Sequence, residues 1–197
     1  IPAGTTLADR ASALERFSIA AGDHCLLIFG GSLGATRLNE AALDAFGDAS
    51  PCAVLHVCGR RDHPQLAARL LELGNPPHYH LYPYVEPFAE ALAAADLVAA
   101  RSGGSVLEVA AAGLPAILVP YPLATGDHQT ANARYMADAR AAVVVRDEDL
   151  DGPRLAREVS ALLGSTERLR EMAKAARAAA KPDAADRIAD EVLGLAR

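Results

Sequence analysis

Tryptophan is absent, and aromatic residues account for only 5% of the 197 positions. Alanine carries much of the apolar fraction instead, which predicts helices packed tightly against a sheet. Lysine is nearly missing too; apart from Lys174 and Lys181 every basic residue is arginine. Lys+Arg total 19 against 25 Asp+Glu, a formal net charge of −6. That balance excludes the basic stripe a nucleic-acid groove requires. No apolar run reaches the roughly 18–20 residues of a membrane span. The longest candidate, Phe88–Ala100, is broken by Glu90 and Asp96. Nor is there a charged segment followed by an apolar one at the start, as a secretory leader would show. The chain begins at Ile1 and reads as a piece of something longer.

Three cysteines, Cys25, Cys52 and Cys58, are too few for a disulfide framework. Cys52 and Cys58 fall on one predicted strand, about 20 Å apart at strand rise, beyond disulfide reach. No neighbouring ligands suggest zinc. Buried, reduced thiols of a cytosolic protein are the expectation.

What is present is a core. Hydrophobic residues make up 51% of the chain, and the mean hydropathy of +0.11 excludes whole-chain disorder. Residues 1–22 read as a linker and a lead-in helix over Leu7–Phe17. A βα rhythm follows. Strands are predicted at His24–Phe29, Ala53–Val57, His78–Tyr82, Leu97–Ala100, Ala116–Val119 and Ala142–Val145. Helices are predicted at Asn39–Phe46, Pro64–Leu73, Pro87–Ala94, after the turn Gly103–Ser105 as far as Ala112, and at His128–Asp138. Residues 151–197 read as closing helices at Arg154–Leu163, Glu167–Ala180 and Asp183–Leu195. Short apolar strands alternating with helices predict one α/β domain, a Rossmann-like parallel sheet with helices on both faces.

In such sheets ligands gather at the carboxyl ends of the strands. Three motifs fall there. Gly30-Gly31-Ser32-Leu33-Gly34-Ala35 follows the first strand and opens a helix, as an anion-binding loop would. It is neither G-x-G-x-x-G nor a Walker A, and by itself equally describes a plain βα turn. Arg101-Ser102-Gly103-Gly104-Ser105-Val106-Leu107-Glu108 makes a second Gly-rich helix start. Glu108, one turn in, is placed either to accept hydrogen bonds from a ribose diol or to complement the helix dipole. Third, Asp127 is a candidate N-cap for a helix carrying His128, Gln129 and Asn132. Such side chains suit sugar hydroxyls and equally suit a solvated surface. No Ser-His-Asp order or His pair at metal-ligand spacing accompanies them, and none of the three motifs contains an Asp-x-Asp for a metal-chelated diphosphate.

Taken in order, GGSxGA, RSGG…E, AAAGLPAILVPYP and DHQxxNA resemble the C-terminal half of the MurG family. The likeness extends to the tail, Met172-Ala173 through Pro182-Asp183-Ala184-Ala185-Asp186-Arg187. These are bacterial N-acetylglucosaminyltransferases with two Rossmann-like domains, the GT-B architecture. The resemblance implies that this chain holds UDP-N-acetylglucosamine, for inverting transfer to lipid I to form lipid II in peptidoglycan synthesis. It implies Ser32 on the diphosphate and Val85 facing uracil through its backbone. Gly104, Ser105, Val106 and Leu107 would line the phosphate-binding helix start. Glu108 would bind the ribose, and Gln129, with His128 beside it, the sugar hydroxyls. No cofactor and no metal are implied.

The Arg101–Glu108 stretch is one residue shorter than the common family form, which leaves the register of Ser105–Leu107 open by one. Gly4 stands where many members carry a linker arginine. The family's N-terminal domain supplies the acceptor loop, the expected base and the membrane-docking patch, so this chain alone is expected to bind and scarcely catalyse. Full-length members are expected to sit in the cytoplasm, peripherally on the inner face of the bacterial plasma membrane. Three alternatives remain at this point. They are a GT-B enzyme with another nucleotide sugar or acceptor, a UDP-N-acetylglucosamine 2-epimerase, and a binding subunit that needs a partner chain.

Overall fold

The apolar runs are short because each strand only crosses the thickness of one domain, and both of its faces are covered. CLLIF, AVLHV and LVAA are buried at every position, the pattern of a parallel sheet sandwiched between helices. In the computed structural model, which describes residues 7–31, 35–181 and 183–195, six strands pair in parallel. They are β1 (Cys25–Phe29), β2 (Ala53–Val57), β3 (Tyr79–Tyr82), β4 (Leu97–Ala100), β5 (Ala116–Leu118) and β6 (Ala142–Val144). Their spatial order is β3-β2-β1-β4-β5-β6. That is the doubly wound order, and its switch point lies between β1 and β4.

Alternate residues of each strand feed two cores. Cys25, Leu27 and Phe29 join one, together with α1 (Leu7–Arg16), α4 (Phe88–Ala94), α5 (Val106–Ala112) and α6 (His128–Asp138). Leu26 and Ile28 join the other, with α2 (Thr36–Phe46), α3 (His63–Glu72) and α7 (Gly152–Leu163). α8 (Thr166–Ala179) reaches both, through Ala176 on one side and Leu169 and Met172 on the other. α9 (Ala184–Leu195) closes the described chain. Because α2 and α5 leave the sheet on opposite faces, a crevice opens between the loops after β1 and β4. Phe29 and Ala100 are register partners at its floor.

Most element boundaries fall within a residue or two of expectation. α2 starts at Thr36 rather than Asn39, because its first turn, Thr36-Arg37, is polar and apolar periodicity begins only at Leu38. α7 starts at Gly152 rather than Arg154. The Gly-Pro pair looks like a turn, yet proline is at home in a first helical turn, and Asp151 caps it by accepting from Arg154 N–H at 2.7 Å. Gly152 is also needed there, since a Cβ would meet Asp44 Cβ at 2.8 Å where α7 crosses α2. Gly113 ends α5 at φ 70°, the left-handed stop that glycine adopts without strain. Cys52 and Cys58 flank β2 instead of lying on it, and all three thiols are buried and free. Burial pushes Cys25 up to about 12 and Cys58 up to about 11, so both stay protonated. Among the described residues no helix is long and apolar enough to cross a membrane.

Candidate functional site

Two hollows share Gly31 and Ser105 and so form one cleft along the carboxyl ends of the strands. The first, about 520 Å³, has an apolar wall of Phe29, Val57 and Phe88, with Tyr84, Val85 and Glu108 at its mouth. The second, about 750 Å³, lies over the ends of β1, β4 and β5. Its lining includes Gly30, Gly31, Gly103, Gly104, Ser105, Gln129 and three arginines, Arg37, Arg61 and Arg101.

The residues singled out by sequence divide on inspection. Val85 is 4% exposed, with its side chain in the core. Its backbone N–H and C=O take no hydrogen-bond partner among the described residues. Glu108 is exposed at the rim of the apolar hollow, and its carboxylate likewise has no partner among them. Gly104 and Ser105 line the cleft, whereas Val106 is packed into the core and Leu107, 62% exposed, lines neither hollow. The amides divide the same way. Val106, Leu107 and Glu108 donate to Gly103, Gly104 and Ser105 carbonyls at 3.1 Å each. The N–H groups of Gly103, Gly104 and Ser105 have no such partner among the described residues. The available donors of this helix start are therefore residues 103–105. Ser32 and Gly4 lie outside the described residues.

α6 contributes unevenly. Gln129 lines the cleft; its Oε1 accepts from Tyr121 N–H at 3.0 Å, which leaves Nε2 toward Gly103. His128 turns away, with Nδ1 2.7 Å from Thr125 O, and lines neither hollow. Asn132 donates to Ser102 O at 2.9 Å and serves to pin the Gly-rich turn rather than to meet a ligand. Fully buried Ser102 returns the bond, donating to Gln129 O at 2.8 Å. Asp127 occupies the N-cap position in left-handed conformation, but its carboxylate accepts from Thr130 Oγ1 and caps no backbone N–H. Gly126 and Asp127 both take left-handed backbone conformations, at φ 63° and 53°.

Arg101 is held beneath the floor. Nη1 lies 2.5 Å from Asp147 Oδ1, an ion pair whose angle falls short of a hydrogen bond, and it also donates to Val119 O at 3.3 Å. Arg37 and Arg61 were not foreseen from sequence. The signal was available, since both follow a strand end, where open parallel sheets in general bind ligands. Behind them lies a buried polar chain. Asn39 Nδ2 donates to Cys58 O and to Asp62 Oδ2, each at 2.9 Å. His56 joins Asn39 Oδ1 at 3.0 Å and the Tyr79 hydroxyl at 2.8 Å. Complete burial pushes the His56 imidazole down to about 3, so it is neutral. Among the described residues no three His, Cys, Asp or Glu side chains group as metal ligands.

The model of the glycosyltransferase family 28 C-terminal domain matches residues 25–188. Two relatives are enzymes named UDP-N-acetylglucosamine--N-acetylmuramyl-(pentapeptide) pyrophosphoryl-undecaprenol N-acetylglucosamine transferase. One, from Mycolicibacterium paratuberculosis, is 43% identical over 191 residues, covering 95% of this chain and 46% of that protein. Another, from Halothermothrix orenii, is 37% identical over 181 residues, covering 88% and 49%. The solved structure of Acinetobacter baumannii MurG superposes with a TM-score of 0.78 at 34% identity, covering 92% of this chain and 53% of that one. The chain thus spans about half the length of the curated relatives it matches. It belongs to glycosyltransferase family 28, as a C-terminal domain with the Rossmann-like half-fold of a GT-B enzyme.

Proposed function

We propose that this chain binds UDP-N-acetylglucosamine as the donor side of an inverting transferase that glycosylates lipid I. The carrying observation is the unpartnered pair at the apolar hollow. The Val85 backbone offers one donor and one acceptor beside a carboxylate, Glu108, whose own bonds are unmade. A flat base edge can meet the first and a ribose diol the second, while the Gly103–Ser105 amides lie where the diphosphate would follow. Gln129 Nε2 is then a donor for a sugar hydroxyl.

In the transfer, an acceptor hydroxyl attacks the anomeric carbon, the bond to the diphosphate breaks, and UDP departs with its electron pair. Negative charge grows on that diphosphate. Backbone N–H groups and arginines aimed there stabilise it without having to reorganise during the reaction. The base and the acceptor lie with the rest of the relatives' length on this reading, and the whole enzyme would work peripherally at the inner membrane face. Calorimetric titration of the chain tests the donor side. UDP should bind better than ADP or GDP, because the Val85 edge reads one base. Equal affinity for all three would sink the proposal.

A further inference from the structure

Arg37 and Arg61 both line the larger hollow, Arg37 from the first turn of α2 and Arg61 from the loop between β2 and α3. Each is tethered along one edge of its guanidinium. Arg37 donates through Nε to Leu150 O at 3.2 Å and through Nη2 to Glu148 O at 3.0 Å. Both acceptors are neutral carbonyls, and no described carboxylate lies within 4.0 Å of its guanidinium as an ion pair. Arg61 donates through Nε to Asp62 Oδ1 at 2.7 Å and through Nη2 to Thr36 Oγ1 at 2.8 Å. In both residues Nη1 takes no partner among the described residues, and in each it is the end of the fork left for a ligand.

The tether on Arg61 is itself anchored deep in the domain. Asn39 donates from Nδ2 to two acceptors, which assigns its other end as the carbonyl oxygen. That oxygen requires a donor, so His56 carries its proton on Nε2 and accepts at Nδ1 from Tyr79 O–H. One direction of donation therefore runs from Tyr79 through His56 and Asn39 to Asp62. A network this fully satisfied holds a single geometry, and the two side chains at its wet end are Arg61 and Thr36. Holding an exposed arginine in place this way removes much of the entropy cost of ordering it around a ligand.

We propose that Arg37 and Arg61 form a two-guanidinium clamp for the diphosphate of the nucleotide sugar, an inference that rests on the donor-binding reading above. Planar forks suit phosphate oxygens. Arg101, buried and already paired with Asp147, is excluded from this role.

Titration of UDP and uridine against the wild-type chain, Arg37→Gln and Arg61→Gln decides it. UDP affinity should fall about tenfold in Arg37→Gln, the scale of one charge-assisted hydrogen bond. It should fall about threefold in Arg61→Gln, whose charge is already shared with Asp62. Uridine affinity should not change in either. Arg37→Lys and Arg61→Lys, which keep the charge and lose the fork, should lie between, and they serve if a glutamine variant fails to fold. UDP affinity equal to wild type in all variants would overturn the clamp and leave donor binding standing. So would a parallel loss for uridine, which would mark a general disturbance. A wild-type chain that binds no UDP would overturn the donor reading itself.

Discussion

The two ends of the same sheet have opposite economies of hydrogen bonding. At the amino ends of β1 and β4 polar groups consume one another. Arg10 Nη1 donates to Ala94 O at 2.8 Å and Ala95 O at 3.2 Å, while Nη2 pairs with Asp96 at 2.8 Å. Asp96 in turn accepts from Cys25 N–H at 2.8 Å. One arginine and one aspartate thus close the carbonyls at the end of α4 and the first amide of β1. At the carboxyl ends of those strands, donors and acceptors remain unspent among the described residues, namely the amides of residues 103–105, Gln129 Nε2, the Glu108 carboxylate and Nη1 of Arg37 and Arg61. An end that must only be stable satisfies itself, whereas an end that binds keeps its groups for a ligand.

The largest effect that could break this comparison is catalytic. Transfer requires a base within hydrogen-bond reach of the attacking hydroxyl and a positioned acceptor. No histidine lines either hollow among the described residues, and His128, beside Gln129, is turned onto Thr125 O. The purified chain should therefore bind UDP-N-acetylglucosamine with essentially no transfer to lipid I. Supplying the N-terminal half of a relative, in the same chain or in trans, should restore it. A missing base alone costs about 10²–10⁴-fold. Robust turnover by the 197-residue chain would place a catalytic group among the residues of the cleft.

A pair of substitutions sharpens the contrast between the ends. Glu108→Ala should weaken UDP binding by about 1.5–3 kcal/mol and leave unfolding free energy within about 0.5 kcal/mol, because the carboxylate makes no hydrogen bond or ion pair among the described residues. Asp96→Ala should do the reverse. It strands the Arg10 charge and the Cys25 amide, at a cost of about 1–3 kcal/mol in stability, with UDP affinity unchanged. Denaturant melts and titrations of both variants give the four numbers, and a crossed result would erase the distinction.

Acid reaches the network behind the cleft next. His56 is neutral in the fold, with its value pushed from 6.5 down to about 3. The unfolded chain binds that proton and the folded chain does not. This contribution is therefore level above pH 6.5, and stability falls as pH drops from there toward 3. The slope approaches about 1.4 kcal/mol per pH unit for one proton. Imidazole ¹⁵N spectra should show His56 as the Nε2–H tautomer without protonation down to pH 4.5. Protonation near 6.5 would mean the Tyr79–Asn39 chain does not hold.

The smallest expected effect is none at all. Two Gly-rich helix starts and the guanidinium ends of Arg37 and Arg61 supply positive potential at the diphosphate, and Asp147 of the Asp147-Glu148-Asp149 run, which lines the same hollow, is paired with Arg101. UDP affinity should be the same in EDTA as in Mg²⁺. A strict divalent requirement would reassign how that charge is met.

How legible was this from sequence? The strands were, since Ala53–Val57 and Leu97–Ala100 are delimited by composition alone. Helix starts were less so. Polar first turns such as Thr36-Arg37 carry no apolar period, and Gly152-Pro153 looks the same in a turn as in a helix start. The motifs located the cleft, yet their members separated on side-chain direction. Gln129 and His128 are adjacent in sequence and about 100° apart around a helix, so one lines the cleft and the other does not. Val106 was drawn in by its neighbours and belongs to the core.

Sequence by itself determined the alternation of strand and helix, the absence of a basic groove or membrane span, and the family's motifs in their order. Local periodicity and composition suffice for these, since each is written within a dozen residues. Only the tertiary structure decided which groups meet. Arg37 and Arg61 are 24 positions apart, and the bonds that hold them run to Glu148, Leu150 and, through Asp62, to Asn39, His56 and Tyr79. Such pairings are fixed by strand order, which puts β2 and β4 on either side of β1 and brings the loops after them to one edge. Whether a polar group is spent inside the fold or kept for a ligand depends on those non-local neighbours.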